Sequence, residues 1–386
     1  MDQLEPKVLD YLRELIACQS VNPPGLETGA AEYVAQTARA LGATVSLPEA
    51  ASGRNNVVAR WKFGDGPKNL MLHAHLDVVP PSGKWTDDPF AMSVKNGKAY
   101  GRGACDTKGS LAAMLTAVEM LLKEDTNGLN GTLTILGVVG EETGGIGTQH
   151  FLRTSEVDSA NSVAVVGEPT NLDVVVAHKG ISRRKVTFSG KAGHASEPEK
   201  AENAIYKAAQ VAVAIKELNR KLSQNPHPLV GPPCVSATVI HGGVKDNVIP
   251  DNCELSIDRR RIPGEDDHQL DRELRAIMDG LSKQGDPVDG KIEVLGSDKE
   301  PTSIDGSHPF VQLVLGEVNN ALKTHRSPEA LACGTDMPFL IAAGVPTVVL
   351  GPGAVAQAHT VDEFVEISQV VAAVGIYAAI ARKVLV

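Results

Sequence analysis

Residues 69–79 read NLMLHAHLDVV, and this stretch sets the frame for the rest of the chain. In a strand, successive side chains alternate, so Leu72, Ala74 and Leu76 point to one side and His73, His75 and Asp77 to the other. A run this apolar reads as a buried strand. Residues 132–140 (TLTILGVVG), 162–167 (SVAVVG) and 346–351 (PTVVLG) are of the same kind. Between the first two runs lies a helix over 109–123 (GSLAAMLTAVEMLLK), amphipathic to wholly buried. Strands without polar alternation, separated by helices, predict an α/β sheet covered on both faces.

Upstream, residues 5–18 have helical spacing, with Val8, Leu9, Leu12, Leu15 and Ile16 on one face. Asn22-Pro23-Pro24-Gly25 stops that helix. A second helix over about 29–41 ends at Gly42, placed as a C′ glycine. The middle of the chain reads differently. Residues 182–189 and 234–239 alternate like half-exposed strands, 253–259 and 291–295 add further strands, and 202–218 and 268–281 read as helices. The β-α-β-β-α-β order suggests a small open-faced α+β sandwich inserted into the larger domain. The insertion is expected at 180–296, leaving 1–179 and 297–386 to the larger domain. A chain of 386 residues exceeds the usual single core, which agrees with two domains.

The composition is ordinary for a globular enzyme, at 42% hydrophobic and 22% charged. Aromatics at 4% argue against base-stacking surfaces. A net charge of −10 disfavours a nucleic-acid partner and a basic membrane patch. Five scattered cysteines without a CxxC pair make a disulfide framework improbable and point to a reducing cytosol. The opening MDQLEPKVLDYLREL lacks the basic-then-apolar pattern of a signal peptide, and no apolar run reaches bilayer length. A cytoplasmic enzyme is expected.

The predicted strands run into polar residues at their carboxyl ends. The first ends in His75-Leu76-Asp77, the second in Glu141-Glu142 and the third in Glu168, while His359 follows the fourth. Ligands bind outside the carboxyl ends of strands in open α/β sheets, so these residues can converge. An aspartate two residues after a histidine can hydrogen-bond the imidazole nitrogen that faces away from a metal, although an HxD pair is weak by itself. Asp106, in a glycine-rich turn before the 109–123 helix, is on its own more simply an N-cap than a bridging ligand. Adjacent Glu141 and Glu142 would repel and lose solvation unless cations compensate or the loop is solvated. Their directions diverge, so one can ligate while the other faces a substrate. Two histidines and three carboxylates, with one glutamate left over, suit zinc, cobalt or manganese better than calcium. Five ligands suit two ions sharing Asp106.

The ordered set HxD, GRGxxDxKG (101–109), GEE (140–142), GEP (167–169) and Ala358-His359 resembles the family of acetylornithine deacetylase, succinyl-diaminopimelate desuccinylase, aminoacylase and carboxypeptidase. These are di-metal hydrolases, and the acetylornithine deacetylase branch is closest in appearance. The resemblance implies a zinc-peptidase-like catalytic domain with a mixed sheet flanked by helices. It also makes the insertion a ferredoxin-like lid and dimerisation domain. One metal would be held by His75, Asp106 and Glu168, and the other by Asp106, Glu142 and His359. The family often has a cis peptide after the bridging aspartate, here before Thr107. Asp77 would orient His75, and Glu141 would be the general base. His194, in the 190–196 run GKAGHAS, matches a lid histidine that stabilises the oxyanion in the partner subunit's site. Asn247, Arg260, Lys179 and Thr335 match substrate-binding positions. A guanidinium fork suits a substrate carboxylate, and Arg260 is the match, although Arg259 and Arg261 flank it and which of the three faces the substrate stays open.

The reaction implied is removal of the acyl group from an N-acyl amino acid by a homodimer carrying two divalent ions, zinc first. Desuccinylase, aminoacylase and dipeptidase activities are alternatives within the family. A metal-dependent binding protein without turnover is the alternative from another class, and an intact Glu141 argues against it. A nucleotide site at 140–147 (GEETGGIG) fits neither a GxGxxG fingerprint nor a P-loop.

Overall fold

The computed structural model describes residues 4–124, 126–285 and 287–386. They form two compact units. The first comprises the described residues up to Val176, with Ile304–Glu329 and Thr335–Val386; the second comprises Ala177–Ser303 and Ala330–Gly334. The expected insertion at 180–296 lies inside the second unit, which extends past it on both sides.

In the first unit the strands lie in the order Thr44–Ser46, Val57–Lys62, Gly131–Val138, Lys68–His75, Ser162–Val166, Thr347–Val349, with Val175 paired to Val349 of the last. Gly131–Val138, Lys68–His75, Ser162–Val166 and Thr347–Val349 are parallel, and the strands outside them pair antiparallel. The sheet is therefore mixed. Alternation decides which side chains go where. Leu70, Leu72 and Ala74 join a large apolar core with the helices Leu4–Ala17, Thr28–Ala40, Gly109–Leu122, Pro309–Leu322 and Ile367–Val384. His73 and His75 face the other way, toward Ile146–Thr154 and the loops. Gly42, at φ 82°, closes Thr28–Ala40 as expected, with its N–H on Arg39 O and the next on Ala38 O.

Ile367–Val384 is by length and composition apolar enough to cross a membrane, although it holds no unbroken apolar run of bilayer length. Ser368, Gln369, Arg382 and Lys383 interrupt the apolar run and hide it from a count of unbroken residues. Val370, Ala373, Val374, Tyr377, Ala378 and Ala381 of this helix are buried in the same core.

The second unit contains a four-stranded antiparallel sheet in the order Cys234–Gly242, Asn252–Arg261, Gly180–Ser189, Lys291–Val294. Helices Ala204–Leu222 and Gln269–Ser282 supply Ala208, Val211, Ile215, Leu270 and Leu274 to a separate core with Val186, Phe188, Leu255 and Ile257. Its strand and helix order is the ferredoxin-like β-α-β-β-α-β.

Candidate active site

The parallel strands of the first unit end at one edge, in register: His73 lies beside Leu136 and Val166, and His75 beside Val138. The loops that leave this edge carry the site. Asp106 comes from the wide turn Ala104–Lys108, where its φ of −123° and ψ of 89° are not helical and its peptide to Thr107 is cis. Lys108 occupies the cap position of Gly109–Leu122, with no side-chain cap. The simple N-cap reading of Asp106 therefore fails, because the turn aims its carboxylate elsewhere.

That carboxylate lies between two imidazoles. Asp106 Oδ1 is 2.9 Å from His75 Nε2, and Oδ2 is 3.2 Å from His359 Nε2. Glu168 Oε2 stands 4.0 Å from His75 Nε2, and Glu142 Oε1 stands 2.9 Å from His359 Nε2. The donor atoms fall into two groups, His75–Asp106–Glu168 and Asp106–Glu142–His359, each with its atoms within 4.8 Å of one another. Asp106 belongs to both.

Electrostatics shows what such a set calls for. Burial opposes a charge on His75, but hydrogen bonds to Asp106 and Asp77 outweigh it and hold its pKa well above the ordinary value. Hydrogen bonds to Asp106 and Glu142 push His359 up to about 10. Burial would raise Asp106, yet the two imidazoles hold it far below the usual carboxylate range. Positive charge is thus stabilised at two neighbouring points among carboxylates. Imidazole with carboxylate is also the donor chemistry of zinc, cobalt and manganese. The residues present fit two divalent ions.

Asp77 organises the edge from behind. Its Oδ1 accepts from Glu141 N at 3.2 Å and lies 3.5 Å from His75 Nδ1. Its Oδ2 accepts from Glu142 N at 3.1 Å and from Asn22 Nδ2 at 2.8 Å. His75 Nδ1 also meets Asp77 O at 2.9 Å. Burial would raise the Asp77 pKa, but the His75 contact and these donors bring it below its ordinary value. Glu141 is buried and belongs to neither donor group. Asn22, read from sequence only as a helix stop, also reaches Thr143 Oγ1 at 2.9 Å.

The family model of peptidase family M20/M25/M40 matches residues 71–383. The chain belongs to that family. It is therefore a metal-dependent hydrolase. It is 33% identical to an acetylornithine deacetylase of Vibrio parahaemolyticus over 371 residues, 93% of each chain. It is 30% identical to one of Proteus mirabilis over 372 residues, 94% of this chain and 93% of the other. Among solved structures, an M20 family metallo-carboxypeptidase of Sulfolobus solfataricus superposes with a TM-score of 0.78 at 19% identity, covering 97% and 98% of the two chains. A dinuclear metal-binding peptidase of Bacillus subtilis gives 0.74 at 16%, covering 100% and 99%.

Thr335 of this M20/M25/M40 hydrolase lies in the first unit, 2% exposed, its hydroxyl accepting from Met337 N at 3.1 Å. The lid positions His194, Asn247 and Arg260 lie in the second unit, and so does Lys179, expected in the larger domain. His194 is exposed, its Nδ1 2.6 Å from Ser196 Oγ, and it pairs with Val248. Ala195 N donates to Asn247 O at 3.1 Å, so His194 and Asn247 are neighbours. Lys179 Nζ donates to Pro232 O at 2.6 Å. The three arginines separate by strand alternation. Arg259 is buried against Glu265 and Glu273, and Arg261 against Glu300. Arg260, 30% exposed, pairs with Asp258 at 2.8 Å.

The M20/M25/M40 chain depends on glycine just past Glu141-Glu142. Gly145 has φ 72°, and a Cβ there would lie 2.4 Å from Phe339 Cε2 and 2.5 Å from Asp336 Oδ1. Gly145→Ala is expected to lower stability by about 2–4 kcal/mol, from the left-handed backbone and the overpacking together. Urea unfolding followed by circular dichroism measures it, and a wild-type midpoint would refute it.

Proposed function

We propose that this hydrolase removes the acyl group from an N-acyl amino acid, with N-acetylornithine as the preferred substrate. The observation that carries the reading is the pair of donor groups sharing Asp106 beside a buried glutamate, Glu141, that neither group uses. The acetylornithine deacetylase names of relatives matching over nearly the whole chain support the substrate.

His75, Asp106 and Glu168 would hold one ion, and Asp106, Glu142 and His359 the other, with zinc preferred and cobalt or manganese accepted. Bound there, the ions supply Lewis acidity toward the amide carbonyl and acidity to water. Glu141 takes a proton from the attacking water and returns it to the departing amine, so water and amide become carboxylate and amine. Asp77 keeps His75 oriented and fixes the backbone of both glutamates. His194, acting from the partner subunit, donates to the carbonyl oxygen as negative charge develops. Arg260 offers its fork to the substrate carboxylate, and Asn247, Lys179 and Thr335 complete the contacts.

A homodimer through the second unit is part of this proposal. Cys234–Gly242 is an edge strand carrying exposed Val239 and Ile240, and Tyr206 and Val213 are exposed on Ala204–Leu222. Five free cysteines suit a reducing cytoplasm.

The test is hydrolysis of N-acetylornithine, N-succinyl-diaminopimelate and several N-acetyl amino acids by metal-stripped protein, before and after adding zinc or cobalt. Metal-restored release of free ornithine, faster than release from the other substrates, is the expected result. Two bound ions without turnover of N-acetylornithine would overturn the substrate assignment, and no metal uptake would overturn the mechanism.

A further inference from the structure

The segment that follows His359 returns to the turn that carries Asp106. Phe364–Glu366 pairs antiparallel with Lys98–Tyr100, and Gly101 N donates to Glu363 O at 2.9 Å. This places the fully buried carboxylate of Glu363 against the turn. Its Oε1 accepts from the backbone N–H of Cys105 at 2.9 Å and of Asp106 at 3.0 Å. Its Oε2 accepts from Arg102 Nη1 at 2.5 Å. Arg102 is itself buried, with the Trp85 ring centroid 5.1 Å from Cζ, and its Nε and Nη2 have no hydrogen-bond partner among the described residues.

An isolated buried ion pair is often no more stable than apolar side chains of the same volume. A guanidinium this poorly satisfied makes that comparison sharper, so stability alone does not account for Glu363. What an apolar pair could not do is anchor two consecutive N–H groups, one of them the N–H of the shared ligand.

We propose that Glu363 is a positioning residue that fixes the Asp106 backbone relative to the His359 loop, and that Arg102 compensates the charge of its buried carboxylate. The inference rests on the two-ion reading above. Asp106 serves both groups, but His359 serves only the second, so loss of the anchor weakens the second ion more.

The experiment is zinc binding to the metal-stripped full chain, followed by competition with a chromophoric chelator, in wild type and three variants. Arg102→Met with Glu363→Gln removes both buried charges and keeps an oxygen for the two N–H groups. Arg102→Met with Glu363→Leu removes that oxygen too. Glu363→Asp keeps both charges but draws the oxygen back. Wild type is expected to bind two zinc ions, and the Gln double variant to stay within about threefold of it. The Leu double variant and Glu363→Asp are expected to lose about 10–100-fold in affinity for the second ion, as removal of a ligand's outer partner usually does. If the Leu double variant does not fold by circular dichroism, Glu363→Asp decides. Wild-type affinity in Glu363→Asp or in a folded Leu double variant overturns the inference, as does a Gln double variant as weak as the Leu one. Fewer than two zinc ions on wild type would overturn the two-ion reading instead.

Discussion

Glu141→Ala is expected to retain two zinc ions per chain and to lose about a hundredfold to ten-thousandfold in kcat, the usual range for a positioned general acid–base. The two halves of that result have separate causes. Glu141 lies outside both donor groups, so its side chain is not needed to hold metal. Its backbone N–H, which donates to Asp77 Oδ1, survives the substitution. Removing the carboxylate leaves the proton of the attacking water with no acceptor and the departing amine with no donor. Glu141→Gln separates charge from shape and should be nearly as slow. Metal content and steady-state turnover on the same zinc-loaded sample measure both halves. Turnover near wild type would remove Glu141 from the mechanism.

Asp106→Asn should lower zinc affinity by at least about a hundredfold at both steps, since loss of a direct ligand exceeds the 10–100-fold typical of an outer partner. The carboxylate gives one oxygen toward His75 and the other toward His359. An amide has only one oxygen, so one group would meet an NH2, and the negative charge shared by both would be gone. Zinc titration of the metal-stripped variant measures it. Two ions bound with wild-type affinity would show that Asp106 is not shared.

Alternation within 69–79 and the rule that ligands gather at strand carboxyl ends were enough to group His75, the Glu141-Glu142 pair, Glu168 and His359 without knowledge of the sheet order, but not to say which glutamate faces the donor group. The register of the parallel strands supplies the physical reason. Local sequence did not suffice for Asp106, because a cap and a bridging ligand follow the same glycine-rich turn and differ only in backbone angles. Nor could it rank Arg259, Arg260 and Arg261. Strand alternation separates the middle one from the others, but which face the helices cover depends on packing.

Other residues escaped because their partners are distant in the chain. Asn22 meets Asp77 across 55 residues, and Glu363 meets Asp106 across 257. His73 shares a strand face with His75 but ends in a buried chain, its Nε2 2.7 Å from Thr148 Oγ1, which donates to Asp336 Oδ2 at 2.6 Å. No periodicity marks such partners.

The shared ligand also imposes an order on synthesis. His75, Asp106 and Glu168 all precede the second unit, whereas His359 follows it. Domains tend to fold as they emerge, amino-terminal parts first. A nascent chain therefore carries the residues of the His75–Asp106–Glu168 group before the second unit is made, and His359 of the other group only after it. A polypeptide that stops before His359 lacks one of the three members of the Asp106–Glu142–His359 group.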